Sequence, residues 1–148
     1  MNSSILKKLS LPAITFIIAW LGGLSTQYTD WTWYEALNKP FFNPPNFVFG
    51  IVWPILYLLM SISAFRTFNE IKNLFLIQLL FNAIWSWLFF AFQMPLIALL
   101  NIWLLIYLNI KLNLKMFYQD KLSALLFIPY VLWLLFASYL NLFIVLNN

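Results

Sequence analysis

The chain has 148 residues, of which 64% are hydrophobic and only 8% charged, with a mean hydropathy of +0.88 and a pI near 9.4. A soluble domain is roughly half apolar and a quarter charged, so this composition cannot furnish a water-facing surface and predicts a membrane protein. With no cysteine and no histidine, the sequence excludes disulfides, thiolate nucleophiles, His-dependent triads and zinc sites of the usual nitrogen and sulfur type.

Five apolar runs are each long enough to cross a hydrocarbon layer of ~30 Å at about 1.5 Å per residue. They are placed at Leu9–Leu24, Phe47–Phe65, Leu74–Phe92, Leu96–Leu114 and Leu122–Leu146. The expected fold is an all-α five-transmembrane-helix bundle forming a single domain over residues 1–148. The breaks have physical causes. Arg66 to Asn73 and Lys115 to Lys121 are charged, and Gln93-Met94-Pro95 is a tight turn whose proline suits a first helical turn. Pro12 and Pro129 fall within spans one and five, where a membrane helix tolerates proline if neighbouring groups satisfy the freed carbonyls. No GxxxG pattern or convincing internal repeat is present.

The basic residues sort by side. Lys7, Lys8, Arg66, Lys72, Lys111, Lys115 and Lys121 fall on one side of the predicted bundle and Lys39 alone on the other. Seven against one predicts a cytoplasmic N-terminus and an external C-terminus. Scattered in this way, the cations make no phosphate-tracking patch, so nucleic acid is not an expected partner. No small-residue cleavage site stands out after Lys7-Lys8, so span one is read as a retained helix.

The long first loop, Ser25 to Asn46, carries Trp31, Trp33, Tyr34, Phe41 and Phe42, and its Lys39-Pro40 and Pro44-Pro45 steps stiffen the backbone. It is too aromatic for a solvated linker and reads as a lid or pocket wall, or as an interfacial belt. Gln78, Asn82, Trp85 and Phe89 recur on one face of span three; Trp53 and Tyr57 share a face of span two; Trp133, Ala137 and Leu140 share a face of span five. At about 1.5 Å per residue, Trp53, Asn82 and Ala137 all lie roughly 10–15 Å from the end that carries the loop. A pocket walled by spans two, three and five and covered by the loop is the expectation. Its apolar rings and few convergent donors would suit a flat, mostly hydrophobic molecule; the alternative for Gln78 and Asn82 is bonding to neighbouring helices.

Trp33-Tyr34-x-x-Leu37-x-Lys39-Pro40-x-x-x-Pro44-Pro45, then Val52-Trp53-x-x-Leu56-Tyr57-x-x-Met60, resembles the translocator protein family, TspO/MBR. The resemblance continues through Gln78-x-x-x-Asn82-x-x-Trp85 with Phe89-Phe90, and through Pro129-Tyr130-x-x-Trp133-x-x-Phe136-Ala137-x-x-Leu140-Asn141, so it covers about Trp33 to Asn141. It implies porphyrin or other tetrapyrrole ligands, sterol in eukaryotic members, and isoquinoline carboxamide or benzodiazepine-type drugs, with no cofactor required. Carried over by position, Trp53 and Asn82 would donate to a ligand carbonyl. Tyr34, Pro44, Tyr57, Phe89, Trp133, Ala137 and Leu140 would shape apolar walls, and Gln78 and Trp85 complete the expected ligand-binding set. Three departures stand out: Phe42 where the family commonly has Trp, Asn101 where an acidic residue is frequent, and no basic residue after the final tyrosines to complete a cholesterol-recognition pattern.

The resemblance implies a sensor or regulator, or a translocator, of such a ligand. Its alternatives are slow light-dependent porphyrin breakdown, for which Trp85 and Trp133 are the oxidisable candidates, and passive or ion-coupled small-molecule transport. No ionisable residue lies deep in any span, which weakens ion coupling, and no acid–base pair is available for ordinary catalysis. The bilayer is the expected environment, in a bacterial envelope membrane. Homodimers are common in the family, but no small-residue stripe here names an interface.

Overall fold

The computed structural model describes residues 3–148. Its helices are α1 (Ser3–Leu24), α2 (Trp31–Ala36), α3 (Asn46–Arg66), α4 (Phe68–Ser86), α5 (Pro95–Gln119) and α6 (Lys121–Asn147), and no strand occurs among the described residues. Five of the helical stretches are long and apolar enough to cross a membrane, one for each apolar run in the sequence. The helices outrun those runs. α1 begins at Ser3, so Pro12 lies in its interior, and α4 begins at Phe68, with only Thr67 breaking the backbone after Arg66. Charged residues are good helix formers, so helices continue past the hydrocarbon boundary that composition marks.

The spans close into a ring in the order α1, α3, α6, α5, α4, with α4 returning to α1. At the end rich in cations the ring is filled. Met60, Ala64, Ile71, Phe75, Leu112, Met116 and Phe127 are fully buried, and between helices already in lipid the gain comes from such close packing. Asp120 caps α6, accepting from the Leu122 N–H at 3.2 Å and the Ser123 hydroxyl at 2.7 Å. It also takes Arg66 Nε at 2.6 Å, while the Ser63 hydroxyl donates to the Ser123 carbonyl at 3.0 Å. These bonds fix the register of α3 against α6.

The opposite end carries the first loop. A 3₁₀ turn, Ser25–Tyr28, leads into α2, whose N-cap Asp30 accepts from the backbone of Thr32 at 3.0 Å and Trp33 at 3.3 Å, and from the Thr32 hydroxyl. Lys39 closes the other end of α2: its ammonium donates to the carbonyls of Tyr34 at 2.7 Å, Leu37 at 3.2 Å and Glu35 at 3.3 Å, and lies 4.7 Å from the Tyr34 ring centroid. A cation on the last carbonyls of a helix complements its dipole. Three hydrogen bonds then tie the loop to the end of α6: Asn38 N–H to Asn148 Oδ1 at 2.8 Å, Asn38 Nδ2 to the Asn147 carbonyl at 3.0 Å, and Asn148 Nδ2 to the Asn38 carbonyl at 3.2 Å. Phe41 and Phe42 project outward, 95% and 71% exposed.

Candidate functional site

Under α2 the ring is hollow. A cavity of about 560 Å³ lies between α1, α3 and α4, within the range of small-molecule sites. From α3 come Phe49, Gly50, Trp53, Pro54 and Tyr57; from α4, Asn82, Trp85 and Ser86, with Phe90 just beyond its end; from the lid, Trp31 and Tyr34. α1 contributes Phe16 and the small residues Ala19, Gly22 and Gly23. Volume is available because α1 turns its smallest side chains inward. A methyl added at Gly22 would already touch Ala83 Cα at 3.7 Å and Ser86 Cβ at 4.0 Å, so the close approach of α1 to α4 needs a small residue there.

The walls are mainly stacked rings. Trp53 lies on Tyr57 with centroids 5.6 Å apart, and Trp85 lies on Phe89 at 5.6 Å. The lid closes by edge and tilted contacts: Tyr34 to Phe90 at 5.8 Å, Tyr34 to Phe89 at 6.4 Å, and Trp31 to Phe90 at 6.4 Å. Both Phe89 and Phe90 can face the lid because Trp87–Ala91 is a π-helical segment, its Phe92 N–H bonded to the Trp87 carbonyl at 2.9 Å. A π-turn inserts one extra residue and shifts the helical phase. Burial pushes the Tyr34 hydroxyl above the usual phenol range, opposed by a hydrogen bond with Asn43, so the ring is neutral at ordinary pH.

The polar groups form one ladder. Tyr57 OH donates to Asn82 Oδ1 at 2.7 Å, Asn82 Nδ2 donates to Tyr130 OH at 2.8 Å, and Tyr130 OH donates to Gln78 Oε1 at 3.0 Å. The ladder ties α3, α4 and α6 together through Tyr57, Asn82, Gln78 and Tyr130. It also separates the two amides in role: Asn82 stands at the cavity surface, whereas Gln78 is 0% exposed beneath it, its Nε2 without a partner. The Trp53 indole faces the cavity, with its N–H committed to no partner among the described residues.

Of the remaining expected residues, Trp85 alone reaches the main cavity. Phe89, Ala137 and Leu140 border a separate void of about 30 Å³ on the α6 side, behind a partition of Tyr34, Phe49, Trp85 and Phe90. Trp133 is packed behind Trp53, centroids 6.4 Å apart, and against Phe49 at 5.9 Å, with its indole nitrogen buried and unpartnered. Pro44 borders neither space. Trp85 borders both, its N–H donating to Asn141 Oδ1 at 3.1 Å. The main cavity is therefore walled by spans one, two and three, with span five screened from it by aromatic rings. Sequence reasoning passed over the α1 face and Gly50. The Gly22-Gly23 pair, in a chain with three glycines, was the available signal.

The model of the TspO/MBR family matches residues 11–146. The chain is 36% identical to the tryptophan-rich protein TspO of Archaeoglobus fulgidus, covering 98% of this chain and 99% of that one. It is 35% identical to the protein CrtK of Rhodobacter capsulatus over 90% and 89% of the two chains. To the human translocator protein it is 27% identical, over 88% and 86%. Five apolar helices in a ring, an aromatic lid over a hollow end, and a family match running nearly the whole length lead to one conclusion: this is a multi-pass integral membrane protein, and it belongs to the TspO/MBR family.

Proposed function

We propose that the protein binds a flat hydrophobic molecule of the porphyrin or tetrapyrrole class in the cavity beneath α2, as a sensor or passive translocator of that molecule. The observation that carries this reading is the cavity itself: about 560 Å³, walled by aromatic rings, with Trp53 and Asn82 among its lining residues. Such a lining stacks on a planar π-system and fixes its orientation through a few hydrogen bonds. Isoquinoline carboxamides and benzodiazepine-type drugs share that chemistry and would compete. The cation-rich end faces the cytoplasm in this reading, and the lid faces outward.

No Asp, Glu, Lys or Arg lines the cavity. Coupling to an ion gradient normally uses such a group inside the membrane, so transfer would be passive. Of the two tryptophans considered for light-driven chemistry, Trp85 borders the cavity and Trp133 does not, so porphyrin photobreakdown should depend on Trp85 and vanish in darkness.

The test is equilibrium binding of protoporphyrin to the purified protein by tryptophan quenching. Trp53→Ala removes a stacked anchor and a donor at a cost of about 2 kcal/mol, a roughly thirtyfold weaker Kd. Gln78→Leu, below the cavity, should leave Kd within about threefold. Absence of saturable binding to the wild-type protein overturns the assignment.

A further inference from the structure

The cavity is closed above and open at its side. The lid is latched to α6 by the three Asn38–Asn147/Asn148 hydrogen bonds and packed on Phe89 and Phe90, with Tyr34 only 5% exposed. Between α1 and α3, however, the cavity wall is also the outer surface of the bundle. Phe16 is 48% exposed, and Gly23, Gly50 and Pro54 are all exposed while lining the hollow. A methyl built at Gly23 or at Gly50 would meet nothing within 4 Å, so the two helices leave a gap there. Pro54 has no N–H for the Gly50 carbonyl one turn earlier.

Depth identifies what lies outside this gap. Counted from the lid end of each helix at about 1.5 Å per residue, Gly23 and Gly50 lie roughly 2 and 6 Å down, and Phe16 and Pro54 roughly 12 Å. In a hydrocarbon layer of ~30 Å the opening therefore runs from the lid-side edge of one leaflet, at the glycines, down into its acyl chains at Phe16 and Pro54.

We infer that the α1–α3 gap at Gly23 and Gly50 is the passage by which a membrane-dissolved hydrophobic ligand enters and leaves the cavity, with the lid staying latched. The inference rests on the binding reading above and adds the route. A hydrophobic ligand partitions into the leaflet first and then moves sideways, so it needs neither a water-exposed step nor loss of the latch. The two glycines keep the passage clear.

The chain has no cysteine, so a plug can be attached after folding. Gly23→Cys and Gly50→Cys, reconstituted singly in lipid vesicles, are treated with a benzyl methanethiosulfonate and later with reductant. Protoporphyrin exchange between vesicles and protein is followed by stopped-flow tryptophan quenching. The exchange rates of each unmodified variant are the reference for its plugged form. After modification, association and dissociation should both slow by at least about tenfold while Kd stays within about threefold, and reductant should restore both rates. Asn38→Ala/Asn148→Ala, which loosens the lid, should leave the rates unchanged within about twofold. Rates unchanged by plugging, a plug that weakens Kd by speeding dissociation, or faster exchange in the loosened-lid variant would each overturn the route. Failure of unmodified wild-type protein to bind protoporphyrin would instead overturn the binding reading.

Discussion

Replacing Tyr130 by Phe tests whether the polar ladder is a structural member or a set of ligand contacts. The ring would stay in place, packed on Phe127 at 5.5 Å and on Trp53 at 6.4 Å, so only the hydroxyl is lost. Two bonds go with it, the donation from Asn82 Nδ2 at 2.8 Å and the donation to Gln78 Oε1 at 3.0 Å. The consequences are unequal. Asn82 keeps the Tyr57 hydroxyl on its oxygen, but the Gln78 amide, 0% exposed, loses the one hydrogen bond its side chain makes. Stranding a buried group costs about 1–3 kcal/mol in water-soluble proteins, while interhelical bonds in membranes average nearer ~0.6 kcal/mol. Two lost bonds, one of them stranding Gln78 completely, give about 1–4 kcal/mol. The assay is reversible unfolding in mixed micelles by near-UV circular dichroism, with Gln78→Leu run alone and in combination. Because leucine removes the stranded amide, the double variant should be more stable than Tyr130→Phe alone. Strictly additive losses, or a Tyr130→Phe protein as stable as wild type, would refute the reasoning. Porphyrin affinity should change by less than about threefold.

Other contacts carry expectations of their own. The Asp120 carboxyl is held down to about 2 by hydrogen bonds from Arg66 and Ser123, against an ordinary 3.8. A depressed folded-state value stabilises above the unfolded value, and that stability is lost as pH falls through the folded one. Wild-type stability should therefore decline from about pH 4 towards pH 2, and Asp120→Asn should lower it at neutral pH and flatten that decline, read from thermal midpoints across the range. Gly22→Ala should be tolerated, since its methyl makes ordinary contacts with Ala83 and Ser86. Gly22→Leu should prise α1 from α4 and lower the thermal midpoint, with a loss of about 1–3 kcal/mol from overpacking. Ala137→Leu projects into the small void and not the main cavity, so binding of a compact carboxamide measured by calorimetry should persist. If a porphyrin reaches past the Tyr34 and Phe90 partition, its affinity alone should fall.

The five spans were legible because uninterrupted apolar runs admit no other structure in lipid. Their ends were less so: Phe68 to Asn73 and Lys115 to Gln119 are helical beyond the hydrophobic segment, and composition reports the bilayer contact, not the hydrogen-bonded turn. α2 carries a readable start in Asp30, a side chain that caps the backbone two and three residues on, yet the aromatic loop around it drew attention to stiffness instead of helix. The face of α4 bearing Asn82 and Trp85 was legible as inward-facing from period alone. Period could not say which neighbour it meets. That depends on side-chain volume across the ring: Trp133 and Phe49 fill the α6 side, while Ala19 and Gly22 leave the α1 side vacant.

The π-turn at Trp87–Ala91 makes chain length itself a determinant of shape. Deleting one residue there would let an ordinary α-turn form, rotating α4 by about 100° relative to the residues beyond the deletion. The fold would survive, since Pro95 restarts the next helix regardless, but one of the adjacent phenylalanines would swing towards the lipids and take its share of the lid's seat with it. Within this lineage a single-codon gap at that spot should therefore remodel the chamber more than most substitutions inside it.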